Sequence, residues 1–504
     1  MTKWKLAGGT AAALLMGSSA LWADVTPAEV WQGWQDAATA MGQTVTADSE
    51  DEDGDSLVIK GITVATTGDT SGASAKFDTI TLTDNGDGTV GIIMPDSYPI
   101  TITPPAEGND DGPKEVTLNV SMPGAKITAS GTPEAISYAT DAPQFTMTLA
   151  PMTKADGTPI DATVEVKMTG TTGSYLVEGA ESGKKITEDF AAKSLDLKVK
   201  GSDPDTQSDF DMTLSLADFG GKFAIDGMPS GEMTDLAAAL KAGFALDGSW
   251  TYGATAFDVN AMDAGKPTAI KGTFGGGDGA IAMDATKLRY AAGGKALSVT
   301  INSPDIPIPD LTVELGESAF DLLMPVAKSD TPADFTLLTK IIDLKVSEAI
   351  WGMIDPTAAL PHDPATLIVD TKGTVTLTQD IMTDAAGMEN GEPPGMLNSL
   401  DLTELDVKIA GAELTGNGAF TFDNSDMTTY DGVPAPTGKI DLKVVGLNAL
   451  VDKLVAMGLV PQEEAMQGRM MLAMFANTST TADEITSTLE FKDKHFFANG
   501  QQLQ

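Results

Sequence analysis

Cysteine is absent from this chain of 504 residues, and histidine and arginine are nearly absent as well. Without cysteine the chain can form no disulfide, thiolate nucleophile, zinc ribbon or iron–sulfur cluster. Its two histidines, His362 and His495, are far apart in sequence and make no local metal-binding pair. Its two arginines, Arg289 and Arg469, are too few for a surface that clamps phosphates or carboxylates bidentately. We therefore expect no metal and no cofactor.

Basic residues are scarce relative to acidic ones. The chain has 31 Lys and Arg against 72 Asp and Glu, which gives a formal net charge of −41 at pH 7. Proteins that bind nucleic acids neutralise phosphates with Lys and Arg, so this balance argues against a nucleic-acid partner. Aromatic residues make up only 6% of the chain, which disfavours a sugar-stacking cleft.

Sequence motifs for catalysis or metal binding are incomplete. Ser49–Gly54 and Thr83–Gly88 resemble the start of a calcium loop, but Lys60 and Met94 stand where the closing Glu belongs. No Gly-x-Ser-x-Gly nucleophile elbow occurs. We predict no catalytic residue and no enzymatic activity, with a carboxylate-based hydrolase kept as an alternative because it needs only two acids.

The N-terminus has the pattern of a secretory signal. Lys3 and Lys5 precede the small, apolar stretch 6–21, and Ala23 suits a cleavage site. The stretch is too short and too rich in Gly and Ser for a good membrane-spanning helix, and no later stretch reaches ~18 apolar residues. We predict a signal peptide over 1–23 and a periplasmic mature chain without a transmembrane segment.

One strand phrase recurs along the chain, with apolar residues alternating with an acid and a Lys. It occurs at Leu195–Val199, Ile342–Val346, Leu405–Ile409 and Ile440–Val444, with a looser copy at Val164–Met168. Period-two alternation predicts half-buried antiparallel strands with one apolar face. The copies are unevenly spaced, which argues against a solenoid or propeller.

The remaining patterns predict a mainly β (α+β) fold. It has a long, twisted antiparallel sheet that could curl into a trough, an N-terminal helix and a C-terminal helical hairpin. Pro304, Pro307 and Pro309 suggest sections 24–310 and 311–504, which could also form one continuous domain. Short helices are predicted around 233–243, with Thr234 as the cap, and around 319–327 and 347–354. The C-terminal hairpin is predicted over 448–457 and 461–476, followed by strands at 485–491 and 496–498.

Two apolar helix faces are candidate surfaces for a ligand or partner. The N-terminal helix, which starts at the capping box Thr26–Glu29, carries Trp31 and Trp34. The C-terminal hairpin carries Met466, Met470, Met471 and Met474, and Met adapts to varied apolar shapes. Packing on the protein's own sheet is the alternative for both faces, and the sequence favours it.

Six sequence blocks in combination resemble an alphaproteobacterial envelope family, domain of unknown function 2125. They are Val25–Trp31 with Trp34, Trp351–Pro356, Leu360–Pro364, Gly446–Leu450, Arg469–Ala476 and Phe497–Gln501. The resemblance covers essentially the whole mature chain, although His362 stands where the family commonly has Arg. It implies a periplasmic location and no known enzymatic activity.

That family is distantly similar to envelope proteins of the AsmA type, whose long curved sheet holds lipids. The leading hypothesis is thus a non-enzymatic envelope protein that holds a lipid or an apolar partner along its sheet. The alternative is a structural or interaction module with a sealed core. The two differ in whether the apolar face marked by Leu197, Leu344, Val407 and Leu442 is open.

Overall fold

The chain forms one large antiparallel sheet with few helices. The structure, a computed structural model, describes residues 24–40, 42–66, 72–104, 112–179, 184–203, 206–228, 235–306, 308, 310–382, 394–478 and 483–504. The predicted signal peptide at 1–23 lies outside the described residues. The described residues contribute twenty-eight strands to the sheet, so the predicted long antiparallel sheet is confirmed.

The strands of the N-terminal half are β1 (Gln43–Thr46), β2 (Ser49–Asp53), β3 (Ser56–Thr66), β4 (Gly72–Asp84), β5 (Val90–Ile93), β6 (Ser97–Thr103), β7 (Val116–Ser121), β8 (Lys126–Thr132), β9 (Ala135–Leu149), β10 (Met152–Thr153), β11 (Pro159–Glu178), β12 (Lys184–Asp203), β13 (Ser208–Met228) and β14 (Ala245–Tyr252). Those of the C-terminal half are β15 (Thr255–Asp263), β16 (Lys266–Phe274), β17 (Gly276–Met283), β18 (Lys287–Asn302), β19 (Leu311–Pro325), β20 (Ala333–Val346), β21 (Ala365–Leu377), β22 (Gly395–Ile409), β23 (Ala412–Asp423), β24 (Ala435–Val445), β25 (Asn477–Thr478), β26 (Glu484–Lys492), β27 (His495–Ala498) and β28 (Gln501–Gln502). The helices are α1 (Pro27–Ala40), α2 (Leu236–Lys241), α3 (Glu348–Ile354), α4 (Leu447–Ala456) and α5 (Gln462–Phe475).

Helix α1 is the predicted N-terminal helix, and its capping box forms. The Glu29 carboxylate accepts hydrogen bonds from the Thr26 N–H and Oγ1, both at 2.8 Å, while the Glu29 N–H donates to Thr26 Oγ1 at 3.3 Å. The apolar face of α1 packs on the N-terminal strands and forms the larger buried cluster of the protein. The buried members of this cluster are Val25, Val30, Trp31, Ile59, Ile62, Ile80, Leu82, Val90, Ile92, Ala129 and Ile136.

The C-terminal helices also follow the prediction. Helices α4 and α5 form the hairpin, and α3 occupies the start of the connection between β20 and β21. Helix α2 is confirmed in place, but its cap is Asp235, whose side chain accepts from the Ala238 N–H at 3.0 Å. The sequence pattern suggests Thr234 instead, which lies outside the described residues.

The helix predicted around 319–327 is wrong, because residues 319–325 belong to strand β19. Phe320, Leu322 and Met324 alternate along the strand, but Leu323 beside them produces an apolar spacing that also suits a helix. Pairing decides between the two, since β19 is hydrogen-bonded to β18 on one side and to β20 on the other.

Strands β18 and β19 form a hairpin, and residues 304–310, where the prolines suggest a section boundary, belong to the connection between them. Its ladder runs from Lys287↔Pro325 to Ile301↔Leu311. Strands of the two suggested sections therefore pair directly in one sheet. Independent folding of each section stays an open prediction.

Between some of the long strands lie pairs of short strands arranged end to end, and we call each such pair a rank. Strand β13 pairs with β15 along residues 209–216 and with β14 along residues 220–226. The next rank is β16 and β17, and β18 pairs with both of them. Strands β4 and β9 enclose two ranks of short strands in the same way.

The long strands are interrupted along one line that crosses the sheet, which we call the kink line. Gly170, Asp218, Ala296 and Asp343 have positive φ angles of 57°, 49°, 50° and 57° in β11, β13, β18 and β20. The breaks between the end-to-end strands, at 253–254 and at 275, continue this line. Asp, Ala and other L-residues rarely adopt this conformation, so the surrounding ladders must hold it.

Apolar positions change parity at the kink line. In β13 they are even-numbered before Asp218 (Met212, Leu214, Leu216) and odd-numbered after it (Phe219, Phe223). A bulge-like residue re-aims the side chains that follow it. The kink therefore keeps both halves of a long strand apolar on the same face.

Glycines near the centre of the sheet lie under aromatic rings of the neighbouring strand. Phe223 is paired with Gly248, and Trp250 is paired with Gly279. A Cβ atom on either glycine would overlap the ring. Phe223 and Trp250 stack on each other with centroids 6.5 Å apart. Such glycines make room for rings instead of forming turns.

Both outer edges of the sheet are protected against pairing with other chains. Strand β2 lies at one edge and carries four consecutive acids, Glu50–Asp53. At the other edge, β26 is covered by β25, by β27 and by Asn499, whose Oδ1 accepts from the Thr488 N–H at 2.9 Å. Charges and short edge strands are known devices against edge-to-edge aggregation.

Replacing Gly279 with Val should destabilise the sheet, because the new side chain must displace the Trp250 ring. We expect the free energy of unfolding to fall by about 1–3 kcal/mol, measured by thermal or denaturant unfolding. The control is Gly468→Ala in α5, where a Cβ meets no atom within 4 Å; it should be neutral or stabilising by up to ~1 kcal/mol. A Gly279→Val protein as stable as the unmodified chain would contradict this packing.

Candidate functional site: an apolar band across the sheet

The recurring strand phrases pair with one another or with similar strands, and their apolar residues line up across the sheet. In the β11–β12 ladder, Val164 faces Val199, Val166 faces Leu197 and Met168 faces Leu195. Directly opposed residues lie on the same face of a sheet. The apolar sides of these two phrases thus extend each other across the ladder.

Two rows of apolar residues result, and together we call them the apolar band. The first row crosses nine strands through Met147, Val166, Leu197, Leu214, Phe257, Gly272, Val299, Val313 and Val346. The second row lies beside the first on the same face and is displaced from it by two residues in each strand, with the sign of the shift alternating with strand direction. It consists of Val164, Val199, Met212, Val259, Ile270, Ile301 and Leu311. The ring of Phe257 covers Gly272, so the row has no gap there.

Every large side chain of the band is partly exposed. The same holds for Leu197, Leu344, Val407 and Leu442, which marked the apolar face in the sequence. In the described parts of β11, β12 and β13 the one buried residue is Ala192. The band is therefore shielded by its own neighbours within the face and remains open to a further layer.

The opposite face of the same strands is charged and hydrated. Lys198 lies 3.6 Å from Glu165, Lys271 lies 3.1 Å from Asp258, and Lys200 lies 2.8 Å from Asp211. These side chains are mostly exposed, so each pair contributes at most ~1 kcal/mol to stability. Their role is to keep this face in water, which distinguishes it from the band.

Sequence reasoning found the strands but not the band, because the band depends on register. Phe257, Met212 and Ile270 belong to strands that carry no copy of the recurring phrase. Period-two alternation in β13, β15 and β16 is the signal that marks them. Which alternating positions meet across strands is decided by the ladders alone.

The tryptophans proposed as a partner surface lie elsewhere and pack within the protein. Trp31 is 4% exposed in the N-terminal cluster, and Trp34 packs against it with ring centroids 6.3 Å apart. Trp34 also contacts Tyr138, and burial raises the pKa of that tyrosine to about 12. This face follows the packing alternative.

The methionines of the C-terminal hairpin, unlike the two tryptophans, are exposed to solvent. Met466, Met470, Met471 and Met474 are 59–67% exposed on α5, so the expected helix-on-sheet packing does not cover them. Helix α5 is held to α4 by Arg469, which lies 2.6 Å from Asp452 and donates to the Asn448 carbonyl. The structure therefore leaves a methionine stripe exposed, and it does not bring this stripe together with Trp31 and Trp34.

His362 joins two of the sequence blocks that carried the family resemblance. Its ring stacks on Trp351 with centroids 4.3 Å apart and planes 5° apart. Its Nδ1 lies 2.9 Å from Glu348 Oε2, and its Nε2 lies 3.9 Å from Asp355 Oδ2. These contacts fasten α3 to the loop before β21. The second histidine, His495, is at the end of the chain, where its Nδ1 lies 3.0 Å from Gln502 Nε2.

Asp355 is the one buried carboxylate among the described residues, at 2% exposure. The N–H of Leu360 donates to its Oδ2 at 2.6 Å, and the Thr357 hydroxyl donates to its Oδ1 at 3.1 Å. The hydrogen bond from Leu360 is the main cause that lowers the pKa of Asp355. A hydrolase of the two-carboxylate type would need a second acid beside it.

The described parts of the chain contain neither a group of metal ligands nor a membrane-spanning helix. Within them, no three His, Cys, Asp or Glu side chains are grouped as a metal ion would require. Likewise, none of the described helices is both long enough and apolar enough to cross a bilayer.

Fold and band together define the class: a large single-sheet β protein with one apolar face. A family model described as "Uncharacterized protein conserved in bacteria (DUF2125)" matches residues 261–498. This region contains the Trp351–Pro356 and Leu360–Pro364 blocks, and the resemblance is confirmed there. The match is shorter than expected, because the Val25–Trp31 block lies outside it. No curated protein and no solved structure matches the chain.

Acid should weaken the contact made by Asp355. Its pKa is lower in the folded protein, so its stabilising contribution is present above the unfolded pKa of ~4 and is lost as the pH falls through the folded value. We expect Asp355→Asn to be less stable at pH 7 and to lose less stability between pH 5 and 2. Denaturant unfolding across this range measures both effects. The exposed Asp363 supplies the control, and an Asp363→Asn curve that matched the Asp355→Asn curve would refute the assignment.

Exposed methionines should contribute little to stability. We expect Met470→Gln and Met474→Gln to change the free energy of unfolding by less than ~0.5 kcal/mol each. Ile62→Ala, at a buried position in the N-terminal cluster, should cost about 2–5 kcal/mol in the same assay. A loss at Met470 or Met474 comparable to that at Ile62 would show that α5 is packed in solution.

Proposed function

We propose that this chain is an exported, periplasmic envelope protein without enzymatic activity, which holds a lipid or another apolar partner along the apolar band. The observation that carries the proposal is the partial exposure of two uninterrupted apolar rows, one of them nine strands wide. The N-terminal signal pattern supports export, and the incomplete catalytic motifs support a binding role.

The size of the band supports a dedicated partner. Nine strands spaced ~4.8 Å apart give a width of ~38 Å, and two rows cover ~13 Å along the strands. This is on the order of 500 Å² of apolar surface, at the upper end of the largest patch on a typical monomer. Covering it at ~25 cal/mol per Å² is a large favourable term, and an extended acyl chain has the chemistry to provide that cover.

The structural alternative, a module with a sealed core, receives less support. It requires the apolar sides of the phrases to be covered by the protein, whereas Leu197, Leu344, Val407 and Leu442 are all partly exposed. The buried residues gather instead around α1 and, in a smaller cluster, around Leu240 and Phe244 of the α2 region. The hydrolase alternative is disfavoured because Asp355 is the single buried carboxylate of the described residues.

Lipid uptake by the delipidated protein tests the proposal directly. We expect native mass spectrometry of gently purified protein to reveal bound lipid, and a fluorescent fatty acid to bind the delipidated chain saturably. Replacing both Leu197 and Leu214 with Gln should weaken that binding about ten-fold or more, because each change removes apolar contact area.

The matched control is the pair Lys198→Gln and Thr213→Gln, on the same two strands but the opposite face. It should leave the affinity unchanged, and circular dichroism should be the same for both double variants. Two outcomes would overturn the proposal: no lipid and no uptake in the unmodified protein, or equal losses in the two double variants.

A further inference from the structure

Three aromatic rings lie on the sheet across the kink line from the apolar band. Phe190, Phe223 and Trp250 belong to the neighbouring strands β12, β13 and β14. Phe190 and Trp250 are both paired with Gly221, and Phe223 follows Gly221 by two residues, so all three side chains share one face. The parity change at Asp218 makes this the face that also carries the band. We call the three rings the aromatic floor.

The aromatic floor is flat. The ring planes of Phe190 and Phe223 differ by 3° and those of Phe223 and Trp250 by 10°, with centroids 6.2 and 6.5 Å apart. A Cβ atom on Gly279 would meet Cζ2, Cε2 and Nε1 of Trp250, so the indole lies over the backbone of the next strand. The other two rings are nearly parallel to this indole and come from successive strands, so they are displaced sideways from it. One side of the floor therefore rests on the sheet, and all three rings stay partly exposed.

Polar groups stand beside the floor on the same face. Glu188 is paired with Phe223 and is exposed, and Tyr175 is paired with Glu188. Tyr290 of β18 lies in the same row on the opposite side of Phe223. Tyr175 and Tyr290 are 38% and 45% exposed. The floor thus has a carboxylate next to its middle ring and a phenol hydroxyl on either side.

Helices α1 and α2 border the floor. Trp34 of α1 contacts Tyr138, whose ring centroid is 6.5 Å from that of Tyr175. The small buried cluster of the α2 region packs on Ile225 and Leu246, which lie one pleat beyond the floor on the same face. The rings therefore form the bottom of a shallow depression, and hydrogen-bonding groups stand at its sides.

We propose that the aromatic floor binds a neutral saccharide whose sugar rings lie on Phe223 and Trp250. A pyranose ring presents an apolar C–H face, which suits the electron-rich face of an aromatic ring. Its hydroxyls would donate to the Glu188 carboxylate, and hydrogen bonds to an ionised acceptor are the stronger kind. The floor contains no residue of the apolar band, so this site does not require the proposed function.

Other ligand classes fit the floor less well. An acyl chain or a fused hydrocarbon ring would leave Glu188 without a hydrogen-bond partner, at a cost in desolvation. An acidic sugar would face Glu188 and a chain of net charge −41. The low aromatic content of the chain argued against sugar stacking, but the ladders gather Phe190, Phe223 and Trp250 at one place.

The test titrates the full mature chain with cellopentaose, a neutral chain of glucose units, and with sorbitol, which has similar hydroxyls but no ring. Isothermal titration should show saturable binding of cellopentaose and none of sorbitol at the same concentration of hydroxyl groups. Trp250→Ala should weaken binding about ten-fold through the lost ring, whereas Trp250→Phe should retain most of the affinity. Glu188→Gln should weaken it about three-fold or more through the lost charge.

Phe257→Ala is the matched control, because Phe257 also lies over a glycine, Gly272, but in the apolar band. It should leave the affinity for cellopentaose unchanged. Glu188→Gln alters an exposed side chain, so it still tests the site if circular dichroism shows that Trp250→Ala impairs folding. Cellopentaose binding without fatty-acid uptake would remove the proposed function but keep this site. The saccharide proposal fails if the unmodified chain does not bind cellopentaose saturably, if sorbitol binds equally well, or if Glu188→Gln and Trp250→Ala have no more effect than Phe257→Ala.

Discussion

The rest of the structure depends on the antiparallel ladder, which must satisfy the backbone hydrogen bonds of each strand while all apolar side chains stay on one face. In a single sheet this wide, a slip of one residue would turn the apolar side of a strand to the opposite face. The long strands β11, β13, β18 and β20 meet this constraint with residues of positive φ, among them Asp218 and Asp343. In each rank of short strands, one strand ends and the next begins at the kink line, which satisfies the same constraint. The kink line is thus a consequence of keeping one face apolar over strands of 14 to 21 residues.

A sheet organised in this way separates the buried packing of the protein from its partly exposed apolar face. Buried packing is concentrated around α1, where Val30 and Leu82 are fully buried, and in the small cluster around Leu240. The central strands contribute few buried residues, and their stability rests on continuous ladders, on aromatic rings over glycines and on protected edges. Their apolar face consequently stays partly exposed, whereas the opposite face carries charged pairs such as Lys271–Asp258.

Much of this architecture could be predicted from the sequence. Alternation in the recurring phrase predicts strands, and Thr26–Glu29 predicts the start of α1, because both signals are local. The helix predicted around 319–327 failed because Phe320, Leu322 and Leu323 fit a helical spacing equally well until β18 and β20 pair with them. The burial of Trp31 follows the packing that the sequence favours, whereas the exposure of Met470 was beyond the sequence, since it depends on which element packs over the helix. The band itself could be predicted only in part: Leu197 was named, but its partners Leu214 and Phe257 depend on register.

Thiol labelling tests the central claim, that the apolar band is open, most directly, because the chain has no cysteine of its own. Single substitutions Leu197→Cys in the band, Ile59→Cys in the buried cluster and Lys198→Cys on the polar face would be treated with a water-soluble thiol reagent after delipidation. An open band predicts that Leu197→Cys reacts at a rate between the other two and that added lipid slows it without affecting Lys198→Cys. A Leu197→Cys protein that reacts as slowly as Ile59→Cys before any lipid is added would show a sealed face and contradict the claim.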